Sequence, residues 1–253
     1  MDTTPNRFLR SCDLKDQNYD FLKRLIEYYY ANKWNGTPHP WGSKNPSTIK
    51  THWSREWEYP WAIINSDCES NENFNILDCG CGGSPLMTFI SDAYGCNTIG
   101  IDLNYGDKLY NNSIDVNNYG KTQLADLKNF YVNPTLISSN FTAYNGSMAN
   151  MPFDSDMFDR VFCISVIEHI PDESTGKKCV EEMVRVLKPG GKLLITMDHT
   201  QHLGHIKPWC LGQYQKIIDW SGLSLDGNSD FTVPSFDEIH GLYHVVGFVL
   251  KKD

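Results

Sequence analysis

Residues 75–86 read NILDCGCGGSPL, and this stretch decides the fold. The apolar run 76–77 is typical of a buried strand, and the three glycines that follow predict a tight turn. A helix is expected to begin near Pro85, because proline suits the first turn of a helix. Glycine lets a ligand approach the backbone, and the amides of the turn and the helix start face such a ligand. The stretch therefore predicts a strand, a turn and a helix with a ligand site at the turn.

Two acidic residues distinguish this turn from the glycine turns that bind phosphates. Asp78 precedes the first glycine, where a carboxylate repels a pyrophosphate but attracts an ammonium group. Asp102 ends the next apolar run and lies 24 positions after Asp78, which fits one strand–helix–strand unit. We expect Asp102 to accept hydrogen bonds from ribose hydroxyls. A ligand with an amino-acid end and a ribose, but no phosphate, is S-adenosylmethionine.

Several motifs in this chain resemble those of the class I S-adenosylmethionine-dependent methyltransferases, and they occur in the expected order. The first motif of that family, acidic-x-Gly-x-Gly-x-Gly, corresponds to DCGCGGS at 78–84, where Ser84 replaces the third glycine. The later matching segments are MPFDSDMFD at 151–159, RVFCISVIEHI at 160–170 and EEMVRVLKPGGKLLIT at 181–196. The resemblance implies a Rossmann-like α/β fold. Its sheet is expected to have seven mostly parallel strands with an antiparallel last strand, flanked by helices.

The resemblance also implies which residues bind the cofactor. Leu103 is expected to rest on the adenine or ribose face, and Ile164 to lie near the methionine portion. Ser147 stands where many relatives carry an aspartate that accepts from the adenine amino group, so its hydroxyl is expected to make a weaker bond. A plain turn at Asn145-Gly146 is the alternative for that segment. The complete predicted set is Asp78, Gly80, Cys81, Gly82, Asp102, Leu103, Ser147, Met148 and Ile164.

The region before the first core strand is expected to form a part separate from the cofactor-binding domain. Residues 1–72 are predicted to form an N-terminal helical, aromatic-rich cap or lid, and 73–253 the S-adenosylmethionine-binding domain. Apolar spacing predicts a helix over 17–33 and another from about 47 to 65, which Pro60 would kink or interrupt. The first 16 residues are polar and are expected to fray. The tryptophans of this region either pack helices onto the sheet or line a pocket.

The other predicted elements follow from periodicity and from breaks at glycine and proline. The predicted helices are at 85–94, 121–131, 173–187 and 212–220, and the further strands at 98–102, 136–144, 160–165, 192–197, 223–225 and 243–250.

Two histidines are the candidate catalytic residues. Methyl transfer depends largely on orientation, so a base is needed only when the acceptor carries a proton, as a hydroxyl does. His169 follows the fourth core strand and His199 the fifth, and histidine titrates near neutral pH. A structural role for Glu168-His169 is the alternative. Some relatives hold a divalent cation with Glu-x-x-Glu-His and a later histidine, but Ser165 replaces the first glutamate here, so no metal site is predicted.

Composition limits the classes of function. A chain of 253 residues, 40% of them hydrophobic, fits one globular domain with an appendage. The net charge of -9 argues against a nucleic-acid substrate, because phosphate backbones require basic patches. Neither a signal peptide nor an 18-residue apolar window occurs, which predicts a cytoplasmic protein outside the membrane. The eight scattered cysteines are expected to be reduced thiols.

The function expected from these observations is that of an enzyme. It is an O- or N-methyltransferase that uses S-adenosylmethionine and a small-molecule acceptor, such as a sugar, a glycan precursor or a secondary metabolite. A protein or RNA methyltransferase is the alternative among enzymes. A scaffold that keeps the fold without catalysis is the alternative of another class, and a nicotinamide-dependent reductase fits Asp78 less well. The acceptor and the oligomeric state do not follow from the sequence.

Overall fold

A computed structural model describes residues 4–33, 54–82, 86–103, 120–122, 141–199, 209–210, 212–238 and 244–253. In these ranges the chain forms one large, mostly parallel sheet with helices on both faces, which confirms the predicted fold class. The strands are β1 (Asn6–Phe8), β2 (Asn75–Cys79), β3 (Asn97–Asp102), β4 (Gly120–Thr122), β5 (Phe141–Asn145), β6 (Phe158–Ile164), β7 (Leu187–Asp198), β8 (Ser224–Leu225), β9 (Ser229–Asp230) and β10 (Val245–Lys251). The α-helices are α1 (Gln17–Lys33), α2 (Arg55–Ser66), α3 (Leu86–Tyr94), α4 (Glu173–Val186) and α5 (Tyr214–Ser221).

The strand order is β4-β5-β3-β2-β6-β7-β10-β1-β9, and β8 also pairs with β10. The pairs β3–β5, β2–β3, β2–β6 and β6–β7 are parallel, whereas β10 is antiparallel to β7. The chain runs from β2 outward to β5 and then returns to β6, so the strand order reverses between β2 and β6. In sheets of this kind, ligands bind outside the carboxyl ends of the strands at such a reversal.

The central strands are apolar on both sides because helices cover both faces of the sheet. In β2, Ile76 packs in one hydrophobic core with side chains of α1, α2 and α3, whereas Leu77 packs in a second core with side chains of α4 and α5. The same division separates Phe162 from Val161 in β6. Successive side chains of a strand point to opposite faces. The two cores therefore fix the register of the central strands.

All seven predicted core strands are present, as β2, β3, β5, β6, β7, β8 and β10. The helices predicted over 17–33, 85–94, 173–187 and 212–220 are confirmed to within two residues at each end. Three short strands, β1, β4 and β9, extend the sheet to ten strands. The helix predicted from about 121 is wrong at its start, because Lys121 lies in β4 and pairs with Tyr144. The rest of that segment lies outside the described residues.

The prediction that residues 1–16 fray is wrong for the described residues 4–16, because β1 is a buried strand of the sheet. Arg7 pairs with Gly247 of β10 and with Asp230 of β9. The buried Asn6 amide donates to the carbonyls of Asp226 and Asn228 at 2.9 and 3.0 Å, and its oxygen accepts from the Val249 amide at 2.6 Å. These non-local bonds, which no local sequence pattern indicates, order the segment.

Helix α2 lies against the sheet and contains Pro60 without ending there. Trp57 and Trp61 are fully buried, stack with ring centroids 5.6 Å apart, and cover Gly247 so closely that a Cβ atom there would lie 2.9 Å from both rings. Packing onto the sheet is thus the role of these two tryptophans. Trp41 and Trp53 lie outside the described residues, and the domain boundary at residue 72 stays a prediction.

Replacing Asn6 with alanine is expected to lower the free energy of unfolding by about 2–4 kcal/mol, because buried partners of three hydrogen bonds lose their contacts. Urea denaturation measures this, with the exposed Asn73→Ala as the matched control. Equal stabilities of the two variants would contradict the assignment of β1 to the cooperatively folded sheet.

Candidate functional site

The turn after β2 is fixed by hydrogen bonds to β3. The amides of Gly80 and Cys81 donate to the Ile101 carbonyl at 2.7 and 3.2 Å. Gly80 has a φ of 77°, and a Cβ atom there would lie 2.4 Å from Val166 Cγ1. Glycine is therefore required at this position by the backbone conformation and by the side chain that follows β6. This contact joins the carboxyl ends of β2 and β6.

Asp102 closes the other side of the turn. The Gly82 amide donates to Asp102 Oδ2 at 3.0 Å. Gly82 has a φ of 44°, and among the described residues a Cβ atom there would come within 4 Å of Asp102 Oδ2 and the Gly80 carbonyl. A side chain at this position would thus lie beside the Asp102 carboxylate. That the bare backbone here admits a ligand stays a prediction.

The Asp78 carboxyl is buried near the end of β2, where its ionised form is unfavourable. Its side chain is 3% exposed, and burial together with the Asp102 charge raises its pKa to about 7, although the Arg55 charge lowers it. A cation placed beside this carboxyl group would stabilise its ionised form, since an opposite charge favours that form. The binding of an ammonium group at Asp78 stays a prediction, with which this raised pKa agrees.

The other predicted cofactor residues lie along the same edge of the sheet. Leu103 directly follows β3 and is 45% exposed, whereas Ile164 is buried at the end of β6. Asp102 pairs with Asn145 at the end of β5, so the Gly146-Ser147-Met148 turn begins beside it. The Ser147 hydroxyl accepts from the Ala149 amide at 3.1 Å, and Met148 is buried. The fold thus brings the predicted set together, and the role of each residue in binding stays a prediction.

A buried carboxylate from α2 also reaches this edge, and the sequence analysis missed it. Glu58 is fully buried, and its Oε1 accepts from Ser165 Oγ at 2.5 Å and from Thr196 Oγ1 at 2.6 Å. Its other oxygen pairs with the Arg55 guanidinium. Ser165 has a φ of 51°, unusual for a residue other than glycine. The spacing of three between Arg55 and Glu58 was the available signal, but surface pairs share it.

A second pair of buried carboxyl groups lies after β6 and at the end of β7. Glu168 is fully buried, and its Oε1 accepts from the Asp198 amide at 3.1 Å. Burial and the neighbouring Asp198 charge raise the pKa of Glu168 well above its usual range. The environment of Glu168 therefore favours its protonated form more than water does.

The two candidate bases lie in different surroundings. His169 ends a 3₁₀ helix (Ile167–His169) and is exposed. The His199 ring packs edge-on against Phe8, with centroids 4.8 Å apart, and against Tyr214 at 5.6 Å. Burial and nearby His244 lower the His199 pKa to about 4, so this ring is neutral at pH 7 but a weak base. The sequence placed both histidines after core strands, with His169 as the first candidate base, and it gave no sign of the burial of His199.

Metal-binding and membrane features can be assessed for the described part of the chain. No cluster of three or more His, Cys, Asp or Glu side chains suited to a metal ion occurs there, and His202 and His205 lie outside it.

All eight cysteines are free thiols. Burial, Asp102 and Asp78 raise the pKa of Cys81 well above its usual value, so its thiol stays protonated. None of the described helices combines the length and apolar character that a membrane span requires.

A doubly wound sheet with an antiparallel last strand, and with two acidic residues at the strand-order reversal, defines the class I S-adenosylmethionine-dependent methyltransferases. Residues 77–195, slightly less than half of the chain, match the profile of a family described as "Methyltransferase domain", and this part of the chain is similar to that family. S-adenosylmethionine is the methyl donor of this class, which confirms the predicted cofactor. The match therefore supports the class of domain that the sequence resembles, and it does not determine the acceptor.

Individual relatives differ in what they methylate. The chain is 34% identical over 125 residues to sterol 24-C-methyltransferase of Kluyveromyces lactis, covering 49% of this chain and 28% of the relative. It is 27% identical over 162 residues to chloroplastic tocopherol O-methyltransferase of Arabidopsis thaliana, covering 62% of this chain and 40% of the relative. The chain thus spans less than half the length of these two relatives.

A solved structure shares the fold at lower identity. N-methyltransferase NodS from Bradyrhizobium japonicum, in complex with S-adenosylhomocysteine, superimposes with a TM-score of 0.53 at 15% identity, covering 94% of this chain and 99% of the other. At this identity the likeness supports the fold alone.

The pKa of Asp78 predicts how stability depends on pH. Because the pKa is raised in the folded state, the unfolded chain loses this proton first, and the ligand-free fold loses stability as the pH rises from about 4 to 7. Asp78→Asn is expected to remove this loss, so its unfolding free energy relative to wild type rises by about 2–4 kcal/mol across that interval. Urea denaturation at pH 4.5 and 7.5 measures both proteins. Parallel pH profiles would contradict the raised pKa.

Proposed function

We propose that this protein transfers a methyl group from S-adenosylmethionine to a hydroxyl or amine of a small molecule. The observation that carries the proposal is the arrangement of Asp78 and Asp102 across a glycine turn at the strand-order reversal. When bound, S-adenosylmethionine supplies an electrophilic methyl group on a positively charged sulfur. In this proposal Asp78 holds the ammonium group, Asp102 the ribose hydroxyls, and the Gly80–Gly82 backbone leaves room for the ligand between them.

The proposed acceptor class rests on charge and on the acidic groups near the strand ends. The net charge of -9 disfavours a polyanionic acceptor such as RNA. The proposal keeps a sugar, a glycan precursor or a secondary metabolite as acceptor. The aromatic argument for a sugar is weaker than the sequence indicated, because Trp57 and Trp61 pack against the sheet instead of facing a ligand. The names of the relatives cover carbon, oxygen and nitrogen acceptors, so they do not choose among these.

We propose His169 as the base when the acceptor is a hydroxyl, because its ring is exposed just after β6, where an acceptor approaches the end of the sheet. It takes the proton that the hydroxyl loses as the new bond to carbon forms. His199 is proposed as a secondary candidate with a weaker case, because burial lowers its basicity.

The direct test of the proposed function is a methyl-transfer screen of the purified protein with pooled metabolites, followed by mass analysis of the product. A gain of one methyl group in a small molecule is the expected result. Asp102→Ala is the matched control, since loss of the ribose acceptor should abolish most of the turnover at limiting cofactor. Methylation confined to added protein or RNA would contradict the acceptor class. Calorimetry showing no binding of S-adenosylhomocysteine would instead favour a scaffold.

Once an acceptor is known, His169→Ala is expected to lower kcat by about 10²-fold with a hydroxyl acceptor, because general base catalysis contributes roughly that factor. His199→Ala, assayed below its unfolding temperature, is expected to change kcat by less than about threefold. Steady-state kinetics across pH 6–9 measure both. Wild-type kcat in the His169 variant would exclude it as the base, and a large loss in the His199 variant alone would transfer that role.

A further inference from the structure

Cys68 and Cys96 are two thiols that the proposed function does not use. Cys68 begins a 3₁₀ helix (Cys68–Ser70) that follows α2, and Cys96 lies between α3 and β3. Both side chains are fully buried in the same hydrophobic core. Because Cys68 comes before β2 and Cys96 comes directly before the parallel strand β3, both lie toward the amino ends of these strands. They are thus at the edge of the sheet opposite to the cofactor turn.

The segment before β2 and the segment before β3 are held side by side by hydrogen bonds. The Tyr94 hydroxyl donates to Glu69 Oε1 at 3.3 Å. The Asn97 amide donates to the Phe74 carbonyl at 2.9 Å. These two bonds lie on either side of Cys96 in the sequence, and they fix it beside the chain that follows α2.

The two thiols meet between these bonds. The Cys96 thiol donates to the Asn71 carbonyl at 3.4 Å, and the Asn71 amide donates to the Cys68 carbonyl at 3.3 Å. The Cys68 and Cys96 side chains also hydrogen-bond to each other. This bond lowers the pKa of Cys96 against the effect of burial, and it raises the pKa of Cys68. The Cys96 sulfur is therefore the more readily ionised of the two.

Two neighbouring thiols of unequal acidity suit oxidation to a disulfide, because the thiolate is the attacking group. With hydrogen peroxide as the oxidant, the Cys96 sulfur attacks one peroxide oxygen, the O–O bond breaks, and a sulfenic acid and one water form. The Cys68 sulfur then attacks the Cys96 sulfur, so that an S–S bond forms, the S–O bond breaks and a second water leaves. The thiols lose two electrons and two protons, and the peroxide is reduced to two waters.

Burial sets the rate of this reaction. Both sulfur atoms are shielded from solvent, so an oxidant reaches them through local opening of the segment. Exposed Cys12 needs no such opening and reacts first. Oxidation of Cys12 therefore serves as an internal sign that the oxidant is active.

We propose that Cys68 and Cys96 form a reversible disulfide, which is a modification site separate from the cofactor site. The bridge closes a loop that contains β2, the cofactor turn and α3. Closing a loop restricts the unfolded chain and so stabilises the fold. The carboxyl ends of the strands, where the cofactor is proposed to bind, stay open.

Peroxide treatment of the reduced wild-type protein tests this site without any substitution. After incubation, the remaining thiols are alkylated in denaturant, and chymotrypsin cleaves between the two cysteines, at Phe74 and Phe89. Mass analysis is expected to find peptides joined through Cys68 and Cys96 and separated by dithiothreitol. Recovery of both cysteines in alkylated form after Cys12 has been oxidised would overturn the proposal. A bridge from either of them to another cysteine would overturn it as well.

Thermal unfolding measures the effect of the bridge. The oxidised wild type is expected to have a Tm about 5–15 °C above that of the reduced protein, because the bridge closes a long loop. Cys12→Ser is the matched control and should keep both the bridge and the shift in Tm. Cys68→Ser and Cys96→Ser should each abolish both. A shift of the wild-type size in Cys68→Ser would show that the shift has another source and would overturn the assignment.

Discussion

The Ile101 carbonyl is the group on which the site depends. By accepting from the amides of Gly80 and Cys81, it ties the turn after β2 to the end of β3. Asp78 and Asp102, which end these strands, are thereby held on either side of the turn. A strand pair alone would leave the turn free to adopt other conformations. The bifurcated bond, the glycine conformation at 80 and the Gly82–Asp102 bond together allow one arrangement.

This arrangement concentrates negative charge in a place from which water is largely excluded. Desolvation makes an ionised carboxyl unfavourable, and like charges add to the cost. Asp78 and Glu168 respond with raised pKa values. Glu58 instead stays ionised, because Arg55 and two hydroxyl donors hold its pKa down against burial. The crevice therefore contains acidic groups whose pKa values are shifted in opposite directions, and a positive charge beside a group with a raised pKa would favour its ionised form.

The sequence predicted the parts of this structure that follow from local periodicity and from glycine chemistry. The strand–turn–helix unit at 75–86, the second acidic residue at 102 and the antiparallel last strand are of this kind. Glycine has few conformational substitutes in such a turn, and buried parallel strands require apolar runs, so these signals are strong. The grouping of the predicted cofactor residues at one edge followed from the topology.

Contacts between segments that are distant in the sequence could not be predicted from local patterns. The polar side chain of Asn6 looks like part of a solvated terminus, yet it is buried by bonds to residues more than 200 positions away. Arg55 and Glu58 look like a surface pair on a helix, and only the fold places them at the ends of β6 and β7. His199 was a candidate base after His169, and no local pattern indicated that it packs against Phe8 and is buried. The surroundings of each of these side chains are formed by segments that are distant in the sequence.

The central claim is that Asp78 is neutral in the free protein and becomes ionised when an ammonium group binds beside it. Proton release on ligand binding measures this directly, by calorimetry at pH 6 in two buffers with different ionisation enthalpies. With a pKa of about 7 in the free protein, binding of S-adenosylhomocysteine should release close to one proton, and binding of methylthioadenosine, which has no ammonium group, should release none. Equal proton release for the two ligands, or none for either, would contradict the account.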